Sequence, residues 1–574
     1  MAKKDYSYLL KHEDYWAIWI GFGVLIIALL LTFAYAPAMN QEIATNNAIL
    51  EAEAAKAPFK TIEWHNANDA KASIKGSNSP IHKTINKFYA KPGSWSDNPA
   101  SSFVLSSAAA KAKSEAGAEK YEAAKAATAE ALLAAQTAQE AAAKAEFKDA
   151  NLNKEAETKI NEWRSAQSAE SKAKSAANVK PYNHFLTLIG LCIGIGLIFS
   201  IGVYFMGRSV KEFLLGFPGV FIVGTLAYFL AAQTQLKAWG LEYVLWAILL
   251  GMIISNTIGT PKWILPAAQT EYYIKTGLVL LGSTILMNKI LLIGIPGIVV
   301  TWIVTPIVLI TTFWFGQKIL KIESPSLNIT VSADMSVSGV SAAIAAGAAS
   351  RAKKEEITLA VGISILFTAI MMVVMPMIIK AMGLHPVLGG AWIGGTVDST
   401  GAVVAAGEIL GPVARDVAAT IKMIQNILIG LMAFCIAAYW CLVVDTSRAH
   451  EADLSFKGAM RQIWERFPKF VLGFIGASIL FSTIYAILGP DSAKVLLDDG
   501  AIGLTKGLQG WLFCLAFASI GLTTNFRELA HLFKGGKPVV LYVCGQSFNI
   551  ALTFTVAYIM FFKVFPNITQ IISQ

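Results

Sequence analysis

From His184 onward the chain is a succession of apolar runs separated by short polar links. A run of about 20 apolar residues can close its backbone hydrogen bonds as a helix and cross a hydrocarbon layer, and few other structures suit it. Composition agrees. Only 15% of the 574 residues are charged, against about 25% in average soluble domains. A soluble enzyme, a disordered chain and a small secreted scaffold are excluded. Residues 37–182 are the contrast, polar and rich in alanine. The formal charge of +9 is read as Lys and Arg retained in cytoplasmic loops, so no nucleic-acid partner is expected. Cys192, Cys435, Cys441, Cys514 and Cys544 all lie in apolar stretches. They offer neither a disulfide framework for the polar part nor metal-ligand spacing.

The first candidate span is Tyr15–Ala36, preceded by Lys3, Lys4 and Lys11. Its length and weak cleavage signal favour an uncleaved anchor with the N-terminus inside. The others are Phe185–Met206, Phe213–Ala232, Leu241–Ile258, Ile274–Met287, Leu292–Phe315, Ile357–Met382, Met423–Val444, Phe470–Leu488, Trp511–Leu522 and Pro538–Phe562. Arg208, Lys211, Lys262, Lys318, Lys321, the run Arg448, Lys457, Arg461, Arg466 and Lys469, and then Arg527, Lys534 and Lys537 all fall on the cytoplasmic side under alternation. The expected location is a bacterial inner membrane, multi-pass, with a cytoplasmic N-terminus and with residues 37–182 and the C-terminus outside.

Within the insert, residues 106–177 read as helix, with Glu and Lys at three- and four-residue spacing and a turn at 147–153. An antiparallel, coiled-coil-like hairpin follows, a spacer or strut that could also dock an extracytoplasmic protein. Residues 37–105, with Trp64, Phe88, Tyr89, Trp95 and Phe103, read as a small cap. His65 and His82 stand alone and read as surface residues.

Two stretches, 327–350 and 388–411, are apolar but full of Gly, Ala, Ser and Thr. The first contains Asp334, Ser336, Ser338, Gly339 and Ser341; the second contains Thr396, Asp398, Ser399, Thr400 and Gly401. Each runs from an Asp through hydroxyls and a Gly to a small-residue helix ending Ala-Ala-Gly, as an internal repeat would. Parity allows both to cross the membrane or both to be re-entrant; re-entrance keeps Arg351, Lys353 and Lys354 inside. Unwound backbone at membrane depth survives only where it is buried in protein or lines a cavity. Paired interruptions in two halves point to a transporter's central site. Small-residue helix packing explains the alanines, but not Asp334 and Asp398, since intramembrane carboxylates are costly. A weaker repeat relates Gly282–Gly294 to Gly521–Gly536 in opposite orientations. Lys275, Lys422, Gln425 and Asn426 are polar groups at span edges, where Lys422 could balance Asp398 or snorkel. Glu408, Arg415 and Asp416 read as a wet loop with local pairing.

At these motifs the chain resembles the YeiH-like sulfate-exporter family of bacterial membrane proteins. Lys275-Thr-Gly-Leu-Val-Leu-Leu-Gly282, Ser336-Val-Ser-Gly-Val-Ser-Ala342, the stretch Gly390–Gly407 and Ala419-Thr-Ile-Lys422 carry the resemblance, which covers roughly 210–565. Ser338 stands where the family usually has Cys, Asp398 and Ser399 where it has His and Glu, and Ala402 where it has Gln. The resemblance implies an all-α polytopic inverted-repeat fold related to cation/proton antiporters and bile-acid symporters. It also implies a homodimer in which a transport domain moves, elevator-like, against a scaffold.

The expected organisation is therefore an N-terminus and anchor (1–36), an external helical domain (37–182), a second transmembrane helix (183–208), a transporter core (209–565) and a C-terminal tail (566–574). The expected activity is secondary transport of a small anion such as sulfate, sulfite or a sulfonate. Ser336, Ser338, Gly339, Ser341, Thr396, Ser399, Thr400 and Gly401 would contact the anion. Asp334 and Asp398 would couple transport to Na⁺ or H⁺, with Lys422, Gln425 and Asn426 as auxiliaries. No other cofactor, no metal centre and no enzymatic step is expected. A cation/proton antiporter using the same two aspartates, and a receptor or structural protein working through the external hairpin, are the competing readings. No Gly-x-x-x-x-Gly-Lys-Ser/Thr loop is present to drive an ATP pump.

Overall fold

The structure is a computed structural model that describes residues 8–239, 241–285, 287–444, 461, 464–465, 467–529 and 536–573. Lys3, Lys4, Arg448, Lys457, Arg466, Lys534 and the side chain of Cys441 lie outside the described residues. The protein is an all-α polytopic membrane protein. Among the described residues, eight helices are long and apolar enough to cross a membrane. One of these, Phe470–Thr523, holds two of the expected spans, because Gly489 (φ 73°) breaks it. Two further expected spans are shorter helices, Tyr243–Thr257 and Thr270–Gly282.

The helices used below are α1 (Glu13–Phe33), α2 (Ala36–Lys56), α3 (Ile62–Ser73), α4 (Pro80–Phe88), α5 (Ser107–Lys144), α6 (Ala150–Ala177), α7 (His184–Phe205), α8 (Val210–Ala231), α9 (Tyr243–Thr257), α10 (Thr270–Gly282), α11 (Met287–Lys318), α12 (Pro325–Ala333), α13 (Val340–Ala349), α14 (Lys354–Ala381), α15 (Pro386–Thr396), α16 (Thr400–Leu410), α17 (Pro412–Tyr439), α18 (Phe470–Ala493), α19 (Gly503–Thr523), α20 (Lys537–Tyr558) and α21 (Pro566–Ser573).

One group of helices packs around α10, which touches α1, α18 and α19; α9 in turn packs on α8 and α19. Gly282 and Gly521 explain how closely. A Cβ on Gly282 would lie 2.3 Å from the Phe474 carbonyl, and one on Gly521 would lie 2.3 Å from the Ile248 carbonyl. Each glycine lets its helix press backbone to backbone on a neighbour. The first helix is part of this group rather than a loose anchor: Gly21 sits against Val279, and Gly473 against Ile18.

The external hairpin forms as read, with arms of 38 and 28 residues. The longer arm extends about 57 Å at 1.5 Å per residue. The turn falls slightly earlier than 147–153. Glu146 and Phe147 adopt positive φ, and Asp149 caps α6 by accepting from Asn151 N–H at 2.8 Å. Residues 37–105 form no separate cap. The helix that carries Trp64 is tied to the hairpin by Ile62 N–H, which donates to Gln139 Oε1 at 2.7 Å, while Trp95 stacks on Phe229 at 4.7 Å and Phe103 on Phe185 at 5.0 Å. A two-residue ladder, Val104–Leu105 with Tyr182–Asn183, closes the insert.

His82 is not a surface residue. It is fully buried, with Nε2 3.0 Å from Thr32 Oγ1 and Nδ1 2.6 Å from Ser79 Oγ. It therefore ties the insert to the outer end of α1. Burial holds its imidazole below the usual range, opposed by a backbone contact with Gly500. A lowered folded pKa means that the neutral ring is favoured, so its contribution is present above the ordinary histidine value of about 6.5 and is lost as pH falls through it. Thermal unfolding should show lower stability at about pH 5 than at about pH 8. His82→Gln should flatten that dependence, and an unchanged profile would refute the assignment.

Candidate functional site

Both small-residue stretches are helical hairpins. Their half-helices have 9, 10, 11 and 11 residues, about half of what a crossing needs. In the first, Ser324 and Ser326, at the start of α12, donate to Glu356 at 2.5 and 2.9 Å. Glu356 also accepts from Lys353 N–H, so the hairpin leaves and returns at one level. In the second, Gly389 near the start of α15 lies against Leu410 at the end of α16, and Gly407 lies against Arg415. With α14 crossing between them, the hairpins enter from opposite sides. Of the two alternatives left by parity, re-entrance is the one adopted.

The tips meet. Asp334–Ser338 is a π-turn, and Gly339 has φ 56° and ψ −132°. A Cβ on Gly339 would lie 3.2 Å from both Asp398 Cβ and Ser364 Oγ. Asn426 bridges the tips: Ser338 Oγ donates to its Oδ1 at 2.7 Å, and its Nδ2 donates to Thr400 Oγ1 at 3.0 Å. Lys422 donates to the Val337 carbonyl at 2.7 Å and to Gln425 Oε1 at 2.8 Å. Gln425 Nε2 reaches the carbonyls of Ser336 (3.1 Å) and Gly395 (3.4 Å). Lys422 does not snorkel. It is 1% exposed, because α17 begins at Pro412 rather than at Met423 and places Lys422 well inside the helix. Glu408, Arg415 and Asp416 are likewise not in a loop; Arg415 pairs with both acids, at 3.0 and 2.8 Å, where α16 meets α17.

Asp334 and Asp398 are 0% and 1% exposed, and Ser364 lies beside both carboxylates. Asp398 accepts from Tyr542 Oη and, at 3.5 Å, from Thr368. Apart from Ser364, whose single hydroxyl proton can serve one carboxylate oxygen at a time, the two oxygens of Asp334 have no hydrogen-bond partner. The expected anion contacts divide into two sets. The hydroxyls of Ser336 and Thr396 donate to carbonyls of their own turns, and Ser399 caps α16. Ser338, Ser341 and Thr400 instead line a cavity of about 680 Å³, next to the first turns of α13 and α16.

That cavity runs from the tips to Glu13, Asp14, Glu271, Lys275 and Lys469, at the end which the charge pattern assigns to the cytoplasm. Lys275 Nζ lies 2.7 Å from Glu13, 2.8 Å from Asp14 and 3.6 Å from Glu271. Asp14 also accepts from Lys469 N–H at 2.7 Å.

Sequence reasoning missed one face of α20. Tyr542, Gln546, Asn549 and Thr553 follow one another at intervals of four, three and four, which places them on one side of a helix. Gln546 Nε2 donates to the Thr396 carbonyl at 2.7 Å, and Asn549 Nδ2 donates to the Met335 carbonyl at 3.3 Å. The spacing was a usable signal inside an otherwise apolar span.

The profile of a family described as Conserved hypothetical protein 698 matches residues 215–542. A UPF0324 membrane protein of Nitratidesulfovibrio vulgaris is 54% identical over 98% of this chain and 96% of its own length. The chain belongs to the YeiH-like UPF0324 family. A second UPF0324 membrane protein, from Rhodopirellula baltica, is 56% identical over 66% of this chain and 69% of its own length. The UPF0324 inner membrane protein YeiH of Escherichia coli is 24% identical over 58% of this chain and 90% of its own length. No solved structure matches the chain. Like its UPF0324 relatives it is a membrane protein, of the multi-pass inner-membrane kind. The family profile stops before Gln546 and does not reach α1 or the insert.

Four substitutions test this geometry. Gly339→Ala forces a side chain into a backbone region that suits only glycine and should cost about 1–3 kcal/mol. Gly194→Ala, where a Cβ meets nothing within 4 Å, should be near neutral by thermal unfolding. Lys275→Gln leaves the buried Asp14 carboxylate without its cation and should cost about 3–5 kcal/mol. Adding Asp14→Asn should recover part of that loss, and strict additivity would show that the pair does not interact.

Proposed function

We propose that the protein is a secondary transporter for a small anion, of the sulfate, sulfite or sulfonate class, with its binding site where the two hairpin tips meet. One observation carries this reading: Ser338, Ser341 and Thr400, at the N-terminal ends of α13 and α16, line the same deep cavity. Unpaired N–H groups and the positive dipole end favour an anion at such positions. Paired half-helices at membrane depth are the usual construction of a transporter's central site. The carboxylates lie behind the hydroxyls rather than in the cavity lining, which suits a coupling role for Asp334 and Asp398 with Na⁺ or H⁺. Lys422, Gln425 and Asn426 act as positioning residues that hold the tips together. Alternating access would move the hairpin body against the α1, α10, α18 and α19 group, elevator-like, in a homodimer. The cavity corresponds to a cytoplasm-facing state. The reciprocal glycine contacts at Gly282 and Gly521 support an inverted repeat. A cation/proton antiporter is the second reading, favoured by the carboxylate of Asp334, which is short of donors.

Proteoliposome flux separates these readings. Sulfate, sulfite, sulfonates, bicarbonate and carboxylates would be compared, with Na⁺ and pH varied. Ser341→Asp puts a negative charge at the mouth of α13 and should lower anion flux about tenfold or more, while Ser341→Ala should have a small effect. Cation exchange that needs no anion would support the antiporter instead. Deleting residues 40–180 should leave measurable flux; complete loss with the membrane part still folded would favour a receptor or structural role.

A further inference from the structure

Three buried acceptor atoms around the hairpin tips are short of donors, both carboxylate oxygens of Asp334 and Oε1 of Gln546, since the one proton of Ser364 Oγ, beside Asp334 and Asp398 alike, can serve only one oxygen. The donors there are already engaged. Lys422, Gln425 Nε2, Asn426 Nδ2, Gln546 Nε2, Asn549 Nδ2 and Tyr542 Oη each have an acceptor. Gln546 lies on the α20 face between Tyr542, which holds Asp398, and Asn549, which holds the carbonyl next to Asp334. The free amide oxygen thus lies on the helix face that links the two tips. A buried acceptor with no partner costs about 1–3 kcal/mol, and a charged one costs more.

Charge gives a second, independent constraint. Asp334, Asp398 and Lys422 are all at most 1% exposed. Two carboxylates and one ammonium leave one negative charge uncompensated in a dry site, which is strongly unfavourable. A single positive charge balances it, and a divalent ion would overshoot. A proton on Asp334 restores neutrality but satisfies only part of the unmatched set. A monovalent metal ion restores neutrality and accepts lone pairs from carboxylate and amide oxygens alike. The C-terminal ends of α12 and α15 also bring backbone carbonyls to the tips, as in half-helix cation sites.

We infer that Asp334 and the amide oxygen of Gln546 ligate a monovalent alkali cation, with Na⁺ as the probe. Gln546 lies beyond the region matched by the family profile. The coupling role of this ion rests on the transport reading, but its binding does not and can be measured without flux. The test uses the purified full-length chain in detergent, unfolded thermally in NaCl or in choline chloride at equal ionic strength. Na⁺ should raise Tm saturably by about 2 °C. Asp334→Asn should abolish the rise, and Lys71→Ala in the insert should keep it. Gln546→Glu adds a charged ligand and should lower the half-saturating Na⁺ concentration about tenfold, which corresponds to about 1.4 kcal/mol. It also decides the matter if Asp334→Asn does not fold. Equal Tm in Na⁺ and choline, a Na⁺ response that survives Asp334→Asn, or stabilisation by acid alone would each overturn the inference. A Na⁺ response together with a failure to move any anion would overturn the anion reading and leave the cation site standing.

Discussion

The rest of the structure depends on one constraint: irregular backbone at membrane depth must find hydrogen-bond partners without water. The turns at 334–339 and 397–399 release carbonyls that no helix can use. Side chains of α17 and α20 meet them. Lys422 takes Val337, Gln425 takes Ser336 and Gly395, Gln546 takes Thr396, and Asn549 takes Met335. Each such carbonyl left bare would cost about 1–3 kcal/mol. Polar residues in these two helices are therefore first a condition of the fold. Only what remains after that accounting, chiefly Asp334 and the oxygen of Gln546, argues for a ligand.

The same accounting explains why the two hairpins form one body. The helix that follows the second hairpin, α17, holds the first tip through Lys422, Gln425 and Asn426. The helix that follows the first hairpin, α14, supports the second tip through Thr368 and Ser364. Each hairpin is thus braced by the other's continuation, and neither tip is complete alone. The α1, α10, α18 and α19 group packs through glycines that allow backbone contact, and the Lys275 ion pairs with Glu13 and Asp14 tie one end of it. A cavity lined by side chains of both groups lies between them.

Much of this was legible in the sequence for physical reasons. The length of the apolar runs, the basic links and the two small-residue stretches each obey a strong rule about water and hydrocarbon. Lys422 reads in the sequence as a span-edge lysine, able to balance Asp398 or to snorkel, because Arg415 and Asp416 obscure where α17 begins; once they pair with each other and Glu408, the helix starts at Pro412 and buries Lys422. Tyr542, Gln546 and Asn549 escaped because three polar residues hardly alter the mean hydropathy of a long span, although their spacing marks one face. His82 escaped because its partner, Thr32, is distant in sequence and in another element. Burial of that kind is a property of tertiary docking, which no local pattern encodes.

The insert docks with a consistent bias. His82 meets Thr32 of α1, Tyr89 meets Gly507 of α19, Trp95 meets Phe229 of α8, and Lys71 meets Asp491 of α18 at 2.7 Å. All four partners belong to the glycine-packed side of the molecule rather than to the hairpin body. The insert therefore adds aromatic contacts to that side of the molecule. The insert and α1 therefore belong together as one stabilising unit built around the family core, joined at the buried contact between His82 and Thr32.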